Sequence, residues 1–125
     1  MQRVWKTVTG FYHVCARGTG KQLIFEGDED RWEFLELMRE CCCEEGVTVI
    51  AWCLMGNHVH LVLTDYEDRM SAAMHRLLLT YARRFNKRTG RTGHLFQNRF
   101  DRRSLDTDWQ VMEALRTRRS AGGGR

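Results

Sequence analysis

The sequence predicts one α+β domain, an antiparallel sheet with helices packed on one face. Its elements read in the order strand, helix, strand, strand, helix, strand, helix. The two middle strands are separated only by Met55-Gly56-Asn57, a tight turn that suits a hairpin. The chain has 125 residues, the size of one domain, and its 42% hydrophobic content can build a core.

Each element follows from local pattern. Residues 7–15 (TVTGFYHVC) are rich in β-branched and aromatic side chains and read as a strand, with residues 16–20 as a loop. Residues 28–45 read as a helix: Phe34, Leu35, Met38, Cys41 and Cys42 form one apolar stripe. Asp28 suits its N-cap, the acids of its first turn suit the helix dipole, and Gly46 ends it. Residues 47–54 (VTVIAWCL) are nearly all apolar, which predicts a central strand. Residues 58–64 (HVHLVLT) are the hairpin partner. Residues 70–87 give the clearest helix, with Met70, Ala73, Met74, Leu77, Leu78, Tyr81, Ala82 and Phe85 on one stripe. A basic glycine loop spans 88–93, a strand 94–104 and a last helix about 109–116, capped by Asp106 or Asp108. This order is that of a ferredoxin-like domain over residues 1–117, and the glycine-rich residues 118–125 read as a disordered tail.

Charge is distributed unevenly. Residues 26–45 are acidic, whereas residues 76–103 hold Arg76, Arg83, Arg84, Lys87, Arg88, Arg91, Arg99, Arg102 and Arg103 against the single acid Asp101. A one-sided basic segment is the footprint of a nucleic-acid binder, with a solvated helix face as the plainer alternative. No apolar run is long enough to span a bilayer, and no secretion signal opens the chain. The five cysteines are an odd number, three of them adjacent, and contain no CxxC pair. That speaks against a disulfide framework or structural zinc and for a cytoplasmic protein, with Cys41, Cys42 and Cys53 as buried apolar residues.

One motif carries chemistry. Residues two apart on a strand share a face, so His58 and His60 project side by side with Val59 opposite. Two such imidazoles can ligate a divalent metal, although HxH alone is a short pattern. His13 joins them if the first strand neighbours the third. His75 and His94 read as surface or internally satisfied histidines. Phe96 and Phe100 have the spacing of one strand face, where sheet core competes with base stacking. Gln97 and Asn98 are candidate base or metal contacts, with a polar strand position as the simpler reading. Tyr81, on the apolar stripe between Leu78 and Phe85, reads first as core and only second as a nucleophile.

Several stretches together resemble the one-tyrosine HUH (IS200-like) transposases, and within them the REP-associated tyrosine transposases. They are Tyr12-His13-Val14 with Arg17, Phe25 with Asp30, WCLMGNHVHLVL at 52–63, and YARRFNKRTGRTGHLFQNRF at 81–100. The resemblance implies a ferredoxin-like core and binding of single-stranded or hairpin DNA. It implies a divalent metal (Mg or Mn) held by His58, His60 and a further polar side chain. The charge pattern itself makes Arg83, Arg84, Lys87, Arg88, Arg91, Arg99, Arg102 and Arg103 the candidate phosphate contacts. Family members cut through a tyrosine that attacks the phosphate, leaving a 5′-phosphotyrosine and a free 3′-hydroxyl. They include both homodimers and monomers.

The final helix departs from that pattern. Relatives carry a stretch like R-Y-I-H-x-N-P there, but Thr117 follows Leu115-Arg116 where tyrosine is expected. A threonine hydroxyl is a far weaker nucleophile without an activating base. The expectation is a transposase domain in which strand cleavage is absent or severely impaired. A hairpin-binding module of the same fold is the alternative, and a generic metal-binding or regulatory domain a third.

Overall fold

A computed structural model of the chain describes residues 9–97 and 100–117. The described elements are β1 (Phe11–Arg17), α1 (Asp28–Glu45), β2 (Thr48–Leu54), β3 (His58–Thr64), α2 (Met70–Thr89), β4 (Asp101–Leu105) and α3 (Asp108–Thr117), in the expected order. The strands make one antiparallel sheet, β2-β3-β1-β4. Each strand–helix–strand unit leaves a gap that an antiparallel strand fills: β3 lies between β1 and β2, and β1 between β3 and β4. That is the ferredoxin-like α+β arrangement.

Strand alternation divides the sheet into two faces. Tyr12, Val14, Ala16, Val59, Leu61 and Leu63 point to one face and pack with Phe34 and Met38 of α1 and with Met74, Leu77, Tyr81 and Phe85 of α2. Phe25, Phe34 and Tyr81 meet edge to face or tilted at 5.3–5.7 Å between ring centroids. The first two helices thus share one face, as expected. The third takes the other: Val111 packs with Ala51, Val62 and Leu105, supported by Phe11, Ala114 and Leu115. The sheet itself separates this small cluster from the main core, and the short α3 covers only part of its face.

Local differences from the sequence reading have physical causes. β2 is an edge strand, not a central one. Its continuous apolar run reflects a register shift between Val49 and Ala51. The extra residue, Ile50, is 38% exposed, while Val49, Trp52 and Leu54 still reach the main core. Of the expected strand 94–104, the described strand is Asp101–Leu105, and Phe96 makes only an isolated bridge to Gly18. Phe96 and Phe100 therefore pack on the core from a loop rather than from one strand face. The N-cap of α1 is Gly27, with no side-chain cap; Asp28 begins the helix proper. Cys41 and Cys42 are buried as expected, but Cys53 is only half-buried because it lies on the edge strand. Asp65, just after β3, is buried, and its carboxylate accepts the Arg69 and Met70 amides at 2.9 Å to start α2. The expected tail 118–125, with Asn98 and Arg99, lies outside the described residues. No described helix is long and apolar enough to cross a membrane.

Candidate metal and nucleic-acid site

The histidines gather on the face that α3 only partly covers. His58 and His60 open β3 side by side, with ring centroids 4.8 Å apart and planes nearly perpendicular. β1 runs antiparallel beside them, with Arg17 opposite His58, Cys15 opposite His60 and His13 opposite Val62. His13 thus does join the pair: its Nε2 lies 3.2 Å from His60 Nδ1, and the rings stack at 5.2 Å. The other polar partner is Asn57, whose Oδ1 is 2.7 Å from His58 Nδ1. All three histidines are half-buried.

A cleft of about 290 Å³ adjoins this cluster, lined by His13, Arg103, Leu105, Trp109, Gln110, Glu113 and Ala114. It forms because Arg103 stands directly opposite His13 in the β1–β4 ladder while α3 crosses above. Thr117 ends α3, one helical turn beyond Glu113 and Ala114. Among the described residues, no group of three or more His, Cys, Asp or Glu side chains converges to hold a metal ion. Two imidazoles this close could supply part of a divalent ion's coordination sphere, but not all of it.

The tyrosines fall elsewhere. Tyr81 is fully buried on the opposite face, where its hydroxyl donates to the Ile24 carbonyl at 2.5 Å. Burial first, and the nearby Asp30 second, push its pKa well above the usual phenol range. Tyr12 is buried in the same core. Tyr66 is 60% exposed, but it follows the far end of β3. The strand from His60 to Thr64 alone spans roughly 13 Å, and Tyr66 lies beyond its end.

The basic residues differ in what already engages them. Arg88 is turned inward: it binds the buried Asp30 at 2.5 Å and Glu26 at 3.4 Å. Arg84 pairs with Glu33 at 3.3 Å. Arg91 holds its own loop, donating to Asn86 Oδ1 and the His94 carbonyl at 3.0 Å. Arg83 and Lys87 are exposed on α2 and make none of the described ion pairs. Arg102 and Arg103 are exposed on β4, and only Arg103 faces the cleft. The sequence reading missed Asp30 as a buried anchor, Arg17 as a neighbour of His58 and Asn57 as its hydrogen-bond partner. Asn57 carried a signal, a side-chain amide in a tight turn immediately before a histidine strand.

Fold and site define a class: a small ferredoxin-like domain with an accessible imidazole pair at the mouth of a partly roofed sheet. The IS200-like transposase model matches residues 6–115, and the chain belongs to that family. Two solved structures are similar. One is a REP-associated tyrosine transposase bound to a REP hairpin, with TM-score 0.68 and 12% identity, covering 91% of this chain and 67% of that one. The other is a protein from Deinococcus radiodurans R1 assigned as a transposase, with TM-score 0.60 and 18% identity, covering 89% and 92%. No curated protein matches the sequence.

Proposed function

We propose that this domain binds hairpins in single-stranded DNA at the histidine face, with His58 and His60 holding Mg or Mn, and that it does not efficiently cut them. The observation that carries the reading is the imidazole pair lying beside a cleft between β4 and α3, in a chain of the IS200-like transposase family. A divalent ion there would neutralise charge on phosphate oxygens. Arg17 and Arg103 lie on the same face and can take up neighbouring phosphates. Arg83 and Lys87 are exposed on α2, which packs on the opposite face of the sheet, and offer a second, separate basic surface. The hairpin in the similar transposase structure supports the choice of ligand.

Loss of cutting is favoured by the tyrosines. Tyr12 and Tyr81 are sealed beneath α1 and α2, and Tyr66 lies past the other end of β3. Thr117 occupies the expected nucleophile position and has no tyrosine's acidity. The test incubates the protein with labelled hairpin DNA and manganese, followed by native and denaturing gels. The expected result is a salt-sensitive native complex and no covalent band. A covalent protein–DNA band would establish a working nuclease and overturn the claim of lost cutting. Absence of any complex at low salt would overturn the DNA-binding reading itself.

A further inference from the structure

We propose that Asn57 and His13 are positioning residues that hold His58 and His60 in the one tautomer able to bind a metal through Nε2; this rests on the metal-site reading above. A neutral imidazole has one proton, and a metal takes the lone pair of the other nitrogen. Proteins fix the choice by giving the non-ligating nitrogen a hydrogen-bond partner.

For His58 the partner is Asn57 Oδ1, at 2.7 Å from Nδ1. The amide is oriented independently, because Asn57 Nδ2 donates to the Lys21 carbonyl at 3.3 Å. The atom facing His58 is therefore the amide oxygen, which cannot donate. His58 Nδ1 must be the donor, and its lone pair sits on Nε2. The turn that presents Asn57 is clamped by the chain after β1: Gly18 N donates to Asn57 O at 2.9 Å and Ile24 N to Gly56 O at 2.8 Å. Residue 18 must be glycine for the chain after β1 to fold back upon it, since a Cβ there would lie 2.3 Å from the Gln22 carbonyl oxygen.

For His60 the partner is His13 Nε2, at 3.2 Å from Nδ1. Two neutral rings could share that proton in either direction. A proton donated by His13 would leave His60 protonated on Nε2 and unable to ligate there. The proposal assigns the proton to His60 Nδ1 and the acceptor role to His13. The β1–β3 register places His13 one step along the same face, which brings the two rings into their stack.

The test uses histidine ring ¹⁵N spectra of the full chain without metal, at about pH 8, above the usual imidazole range. Calorimetric titration with Mn²⁺ follows on the same samples. Both His58 and His60 should carry the proton on Nδ1. His13→Ala and Asn57→Leu should mix the tautomers and weaken Mn²⁺ binding roughly 10–100-fold. His13→Gln and Asn57→Asp, which keep an oxygen acceptor, should recover most of that loss. The spectra of the unaltered protein decide the tautomer even where a variant fails to fold. A proton on His60 Nε2, or full Mn²⁺ affinity in folded His13→Ala and Asn57→Leu, would overturn the proposal alone. No Mn²⁺ binding by the unaltered protein would overturn the metal-site reading and the proposal with it.

Discussion

On one face of the sheet, Val59 and Leu61 are sealed beneath α1 and α2; on the other, His58 and His60 stand half-open beside α3. The residues alternate along the same strand, so a single period-two pattern divides the work. The covered face contains Tyr81, held by packing and by one hydrogen bond to Ile24. The half-open face holds its rings by polar contacts to Asn57 and His13. Stability should therefore reside mainly on one face and the proposed ligand chemistry on the other, and substitutions should separate the two.

The largest effect is expected on the covered face. Tyr81→Ala should destabilise the fold by about 3–5 kcal/mol in urea unfolding, through lost burial and the cavity left behind. On the opposite face, His60→Ala should leave the unfolding midpoint nearly unchanged. It should weaken Mn²⁺ binding by more than the roughly 10–100-fold typical of losing a residue that only orients a ligand. Equal losses of stability in the two variants would break the comparison. Tyr81→Phe sharpens it: the ring stays, the Ile24 carbonyl loses its donor, and about 1–3 kcal/mol should be lost with Mn²⁺ binding intact.

How far the sequence discloses these faces depends on periodicity. The α2 stripe from Met70 to Phe85 is long, so six of its eight apolar positions are buried as read, with Leu78 and Ala82 at the margin. The HVH alternation similarly places both histidines correctly on one face. What it does not disclose depends on contacts between distant segments. The shift at Ile50 disguises an edge strand as a central one. The clamp of Gly18 on the Asn57 turn joins residues far apart in sequence. Most of all, a run of arginines does not show which ones are already engaged: Arg88 reads as a phosphate contact, yet it reaches back to Asp30, 58 residues away.

That last distinction gives the smallest and most discriminating prediction. Arg83→Ala and Lys87→Ala remove exposed cations that make none of the described ion pairs. Each should change stability by less than about 0.5 kcal/mol. If hairpin DNA tracks along α2, each should also reduce the slope of log affinity against log salt by about 1. Arg88→Ala should do the reverse. It leaves the Asp30 carboxylate buried without its cation, so stability should fall by about 1–2 kcal/mol, discounted because Arg88 itself is 46% exposed. Its salt slope should match that of the unaltered protein. A reduced slope for Arg88→Ala with stability unchanged would mean that the inward pair opens to meet DNA. Unchanged slopes for Arg83→Ala and Lys87→Ala would confine the DNA to the histidine face, leaving Arg17 and Arg103 as its phosphate contacts.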